Sequence, residues 1–271
     1  MVQKPFLPTL QTNGLIGASM RVDAVLFDLF NTLVLLENDE AFYLPSLRKL
    51  HKFLARNGVS VSFKDFKHVY FEVRDKLYAE AEKNLEEPHF NVRISQTLQR
   101  FGYNFGVSHP TVGGATEAFC NEFMRYVRLD KDAVYVLHKL HEKYKLGIIS
   151  NFAIPECVEK LLEKFGLKEL FETVVISGSV NKRKPSPEIF ENALSTLGVE
   201  ASKAVFVGDT PSMDVKGARN AGIKSVLVKR KTSPPPDSIS LVYKLPEEDA
   251  DIEPDNVVKR LKDLLLILED C

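Results

Sequence analysis

The chain has 271 residues, with 36 Lys and Arg against 37 Asp and Glu, so no net field gathers nucleic acid or an anionic membrane, and neither is expected as a partner. Hydrophobic residues at 44% and charged residues at 27% fit a globular chain with core enough for one large or two modest domains. No apolar run reaches the roughly 20 residues needed to span a bilayer. Residues 1–19 are rich in Gly, Pro, Gln and Thr, lack a signal-peptide layout and read as a loose tail, with Met20 as an alternative start. The three cysteines, Cys120, Cys157 and Cys271, form no CxxC pair, and a reduced, cytoplasmic protein is expected.

The first predicted element is a buried strand at 22–27 (VDAVLF) that runs into Asp28. Between 37 and 128 apolar residues recur at helical spacing, as in Leu44, Leu47, Leu50 and Leu54, and about four helices are expected there. Beyond them, helices at 131–143, 155–165, 187–197 and 212–221 alternate with short apolar strands at 145–149, 173–176, 203–207 and 224–228. Such strands suit a parallel sheet covered on both faces, and the alternation predicts a doubly wound α/β fold. Gly166, Gly198 and Gly222 stand where left-handed helix caps are wanted, and Pro155 and Pro187 stand in first turns. Residues 232–253 read as loop with a short strand at 240–244, and a last amphipathic helix is expected over 254–269. The basic clusters Lys182-Arg183-Lys184 and Lys229-Arg230-Lys231 read by default as solvated loop charge.

Ligands of open parallel sheets bind beyond the carboxyl ends of the strands. Asp28 stands just past the first strand, Ser150-Asn151 past the strand at 145–149, and Gly208-Asp209 past the strand at 203–207, with Asp214 shortly after. Lys184-Pro185 precedes the helix at 187–197. Any one of these would pass as a cap or a turn. Gathered at one edge they suggest a site.

The segments DLFNTLV (28–34), IISN (148–151), KRKPSPEIF (182–190) and VGDTPSMDVKGARNAG (207–222) resemble, in order, the four motifs of the haloacid dehalogenase (HAD) superfamily of hydrolases. The resemblance implies a Rossmann-like core over 20–36 and 129–271, with a helical cap domain at 37–128 and the active site between them. It implies that Asp28 attacks phosphorus to form an aspartyl-phosphate, and that Ser150 and the Asn151 backbone amide bind a phosphoryl oxygen. Lys184 would set a positive charge beside both Asp28 and the phosphoryl group. Mg²⁺ would be held by Asp28, Asp209 and the backbone carbonyl of Phe30, while Asp214 would complete the shell, directly or through water, or brace Lys184. Thr32 would fix the turn, and Lys182 and Arg183 would stand in solvent rather than touch substrate. The expected partner is a small phosphorylated molecule; oligomeric state is left open.

Phe30 is the departure. Phosphatases of the family usually carry a second Asp there, which protonates the leaving oxygen and then activates water. General acid–base help of this kind is worth about 10²–10⁴ in rate. Phe30 is compatible with three readings. One is a phosphatase working on good leaving groups or using another proton source, for which His51, His68 and His89 are candidates. The second is a 2-haloacid dehalogenase, which needs no such proton, although that branch carries Ser-Ser-Asn-x-x-Asp at the last motif and a Tyr in place of Phe190. The third is a catalytically weak protein that binds a ligand or partner.

Overall fold

The computed structural model describes residues 22–36, 39–230 and 252–268. The expected tail at 1–19, the loop from 232, the strand at 240–244, Lys231 and Cys271 lie outside these residues. The strands β1 (Ala24–Phe27), β4 (Lys145–Ser150), β5 (Thr173–Ile176), β6 (Ala204–Gly208), β7 (Lys224–Val228) and β8 (Asn256–Val258) form one parallel sheet in the order β5-β4-β1-β6-β7-β8. All four residues of β1 are fully buried. The two-residue period of the strand splits them between the faces. Val25 and Phe27 join Leu137, Val158 and Leu161, on helices α5 (Ala133–His141) and α6 (Pro155–Lys164). Ala24 and Leu26 join Ile189, Phe190 and Ala218, on α8 (Pro187–Leu197) and α9 (Lys216–Asn220). The chain leaves β1 toward β4 and β5, then returns on its other side as β6, so the carboxyl end of β1 lies at the topological switch point.

Four helices fill the interval after β1: α1 (Asp39–Arg56), α2 (Phe63–Asn84), α3 (Phe90–Gln99) and α4 (Pro110–Phe123). Leu47, Leu50 and Leu54 of α1 are buried in one cluster with Phe66, Tyr70, Ile94, Leu98, Ala115 and Phe119. The side chains of Ser62, His89 and His109 cap α2, α3 and α4 by accepting from backbone amides two or three residues on. Two short antiparallel strands, β2 (Val34–Leu36) and β3 (Val127–Leu129), join this layer to the sheet. They are too short to announce themselves as periodic pattern, as is α7 (Ser177–Val180).

The five expected strands and the doubly wound order agree with the structure, and the cap glycines Gly166, Gly198 and Gly222 all take positive φ. Three expectations are corrected. The single helix expected over 254–269 is instead β8, followed by a 3₁₀ turn and the short helix α10 (Leu264–Leu268). Val257 and Val258 pair with Leu227 and Val228, so the free edge of β7 claims a β-branched stretch that could also have been helical. The helix expected at 212–221 opens with a wide π-type turn, Pro211–Val215, before α9. Finally, Cys120 of α4 and Cys157 of α6 form a disulfide across 37 residues of chain. Two buried residues on different helices meet there by tertiary packing, which CxxC spacing could not disclose. Among the described residues no helix is long and apolar enough to cross a membrane.

Candidate active site

Asp28 leaves β1 with its amide donating to Val207 O at 2.8 Å, and its side chain is buried. The chain then turns tightly. Leu33 N and Val34 N both donate to Leu29 O at 2.9 Å, and Asn31 takes the left-handed conformation at φ 60° that Asn tolerates better than most residues. This turn brings Thr32 Oγ1 back to donate to Asp28 Oδ2 at 3.0 Å.

Lys184 Nζ donates to Asp28 Oδ1 and to Asp214 Oδ1, both at 2.7 Å, with all three side chains buried. The other oxygen of Asp214 accepts from the amides of Asp209 and Thr210, each at 2.9 Å. Gly208 makes this approach possible, because a Cβ there would stand 2.3 Å from Asp214 Oδ2. The Asn151 side chain clamps the backbone of the lysine: its Oδ1 accepts from Lys184 N at 2.8 Å and its Nδ2 donates to Lys184 O at 3.0 Å. Ser150, fully buried at the end of β4, has an Oγ with no hydrogen-bond partner. A buried hydroxyl left this way costs free energy unless a ligand completes it.

Burial pushes the Asp28 carboxyl up to about 6, with the nearby charge of Asp214 adding to the rise and Lys184 opposing it. Burial raises Asp209 well above the carboxylate range, reinforced by the charges of Asp28 and Asp214. Burial alone would lower Lys184, but Asp214 and Asp28 outweigh it and hold its ammonium above the ordinary lysine value. Asp28, Asp209 and Asp214 each offer an oxygen within 4.8 Å of the others. An all-oxygen donor set of crowded carboxylates fits a hard divalent cation, which would relieve their mutual repulsion. Asp214 has both oxygens already engaged, whereas among the described residues Asp209 accepts only from Thr210 Oγ1, at 3.2 Å.

Phe30 is partly buried and forms a bridge with Val34. Its ring lies 4.8 Å from Phe152, in the loop after β4, and 5.8 Å from Phe123 of α4. Phe123 in turn meets Phe42 of α1 at 4.9 Å. The Phe30 side chain therefore joins an aromatic cluster linking the sheet edge to the helical layer.

The basic clusters are corrected in part: Lys229 is exposed as expected, but the other described members are not simply solvated. Arg183 is 5% exposed, and Lys182 Nζ donates to Asn84 O at 3.2 Å and lies 3.5 Å from Glu188. Arg230 donates to Asn31 O and Thr32 O and pairs with Asp130 at 2.8 Å, pinning the turn that follows Asp28. Nothing in the local sequence marks that role, since its partners lie 100 to 199 residues away. Of the histidines, His51 contacts Val61 O within the helical layer, His68 pairs with Glu72 on the surface, and His89 pairs with Glu156. Phe190, fully buried, packs edge-on against Phe206 at 5.0 Å.

A family profile described as haloacid dehalogenase-like hydrolase matches residues 61–228. The chain belongs to that family and is a hydrolase. It is 31% identical to a glyceraldehyde 3-phosphate phosphatase of Pyrococcus abyssi over 211 residues, covering 77% of this chain and 82% of that one. It is 33% identical to a phosphoserine phosphatase of Thermus thermophilus over 150 residues, 55% of each chain, so it spans about half of that relative's length. Its fold is similar to the crystal structure of a 2-haloacid dehalogenase from Pseudomonas syringae, with a TM-score of 0.68 and 23% identity, over 92% of this chain and 98% of that one.

Proposed function

We propose that the chain is a Mg²⁺-dependent phosphatase that hydrolyses a small phosphorylated molecule through an aspartyl-phosphate on Asp28. The observation that carries this reading is the buried Asp28–Lys184–Asp214 chain, with Asp209 beside it and the unpartnered Ser150 hydroxyl at the end of the neighbouring strand. The phosphatase relatives from Pyrococcus and Thermus support the substrate class.

The metal would be held by Asp28, Asp209 and the Phe30 carbonyl. With both oxygens taken, Asp214 serves by bracing Lys184, or through water. When bound, the cation supplies charge neutralisation at the phosphoryl oxygens. Asp28 attacks phosphorus, the substrate oxygen leaves with its bonding electrons, and water later cleaves the acyl phosphate. Lys184 orients Asp28 and stabilises charge on the phosphoryl group, and Thr32 fixes the other Asp28 oxygen. Ser150 and the Asn151 amide receive phosphoryl oxygens, while the Asn151 side chain holds Lys184 in place. Phe30 donates no proton, so the leaving group departs unprotonated and acyl and aryl phosphates are turned over faster than alkyl ones. The helices of 37–128 act as a cap over this edge.

Phe30 also favours a second reading, a 2-haloacid dehalogenase, in which Asp28 displaces halide from carbon. One experiment separates the two. Incubation with acetyl phosphate, p-nitrophenyl phosphate or L-2-chloropropionate, with Mg²⁺ or with EDTA, should give phosphate release that EDTA abolishes. Chloride release that survives EDTA would overturn the phosphatase reading.

A further inference from the structure

A second buried charge lies in the helical layer. Arg93 of α3 is 7% exposed. Its Nη1 donates to the hydroxyls of Tyr43 at 3.2 Å and Tyr70 at 3.3 Å, and its guanidinium lies 5.0 Å from the Tyr78 ring and 5.2 Å from the Phe90 ring. These partners are neutral, and the buried Nε has no hydrogen-bond partner at all. Among the described residues no carboxylate pairs with this guanidinium. A buried charge lacking a counter-charge is costly unless something arrives to complete it.

Arg93 lines a narrow cleft together with Tyr78, Glu86, Glu87, His89 and Arg183. Arg183 is the residue before Lys184, so the cleft and the catalytic centre proposed above share a dipeptide. Two backbone bonds fix the helical layer to this edge. Arg183 N donates to Leu85 O at 2.9 Å, and Phe90 N donates to Ala153 O at 2.8 Å, three residues after Ser150. Arg93 lies one helical turn beyond Phe90. The acids of the cleft do not serve it: Glu87 accepts from Ser177 Oγ at 2.6 Å, and His89 is paired with Glu156 outside the cleft. They would repel an anion from their end and leave the arginine end to it.

We propose that this cleft receives a carboxylate on the organic part of the substrate, with Arg93 as the residue that selects it and Arg183 beside it. The inference rests on the phosphatase reading, in which the phosphoryl group sits at Asp28, Ser150 and Lys184. A carboxylate is favoured over a second phosphoryl group because the cleft is narrow and the smaller planar anion asks less room beside the guanidinium. Glu86 remains available to accept from a hydroxyl or ammonium on the same ligand.

The test compares two phosphate esters alike except for the carboxylate, 3-phosphoglycerate and glycerol 3-phosphate. Each is titrated calorimetrically with Mg²⁺ into the full chain carrying Asp28→Asn, so that neither is consumed. The expected result is about tenfold or more tighter binding of 3-phosphoglycerate, the size of one added charge-assisted hydrogen bond. Adding Arg93→Met should bring the two affinities together, and Arg93→Lys should keep part of the difference. Equal affinities before the second substitution overturn the proposal without any Arg93 variant having to fold. So does a preference that survives Arg93→Met. Turnover of acetyl phosphate by the unsubstituted chain is measured separately. Its absence counts against the phosphatase reading, while the ratio of affinities still decides the cleft.

Discussion

The two buried charged centres differ in sign and in how they are balanced. At the sheet edge, one ammonium, Lys184, faces three carboxylates, Asp28, Asp209 and Asp214, and the excess is negative. In the helical layer, one guanidinium, Arg93, faces phenols and rings, and the excess is positive. Each centre is left incomplete by the protein alone. On the readings proposed above, a cation would complete the first and an anion the second, and a phosphorylated carboxylate bound with Mg²⁺ would balance both. The comparison also separates two kinds of burial. The acids are held within one sheet edge by tight turns and backbone amides, whereas Arg93 depends on three helices meeting.

The largest expected effect comes from removing the nucleophile. Asp28→Asn should lower turnover by roughly 10⁴-fold or more while leaving the fold intact by circular dichroism. Lys184→Ala strikes the balance of the sheet edge itself. It should lower kcat by about 10²–10³-fold and, by leaving buried carboxylates unpaired, cost about 3–5 kcal/mol in denaturant unfolding. Phe30→Asp should raise steady turnover of alkyl phosphates by about tenfold or more, since it restores a proton donor. The same change takes a ring out of the cluster with Phe152 and Phe123, so a drop in stability of about 1–3 kcal/mol is expected alongside.

Proton linkage offers a milder probe. With the Asp28 carboxyl at about 6 in the metal-free protein, a proton must leave before a cation binds. Mg²⁺ affinity should therefore weaken as pH falls through about 6, with the raised Asp209 carboxyl adding to the proton release, as read by titration calorimetry in two buffers. The smallest effect is expected of Arg230→Met. It frees the turn at Asn31 and Thr32 and unpairs Asp130, and should cost about 1–3 kcal/mol and a several-fold drop in kcat.

The acids of the sheet edge are legible in the sequence because each stands within a few residues of a strand end. Asp28, Ser150 and Asp209 are carried by local sequence, and the switch point at β1 brings them together. Lys184 belongs to the same short motif, yet its neighbour Arg183 reads as solvated, because a triplet of basic residues says nothing about which one turns inward. Arg230 and the Cys120–Cys157 pair are hidden for a related reason: their partners are far along the chain and are set by packing. The edge strand β8 passes for helix because Val257 and Val258 suit either pattern until β7 is beside them. Arg93 stands amid helical spacing as an ordinary surface charge would, and only the meeting of α1, α2 and α3 buries it.

The most direct test of covalent catalysis at Asp28 is a search for the phosphorylated nucleophile. The chain is mixed with acetyl phosphate and Mg²⁺, quenched in acid within the first turnovers and digested for mass spectrometry. Because Phe30 leaves the second half-step without a base, the peptide containing Asp28 is expected to gain the mass of one phosphoryl group, in an amount approaching one per chain. Asp28→Asn is expected to abolish the gain. Sustained phosphate release with no phosphoryl adduct on that peptide, or an adduct unaffected by Asp28→Asn, would contradict the mechanism.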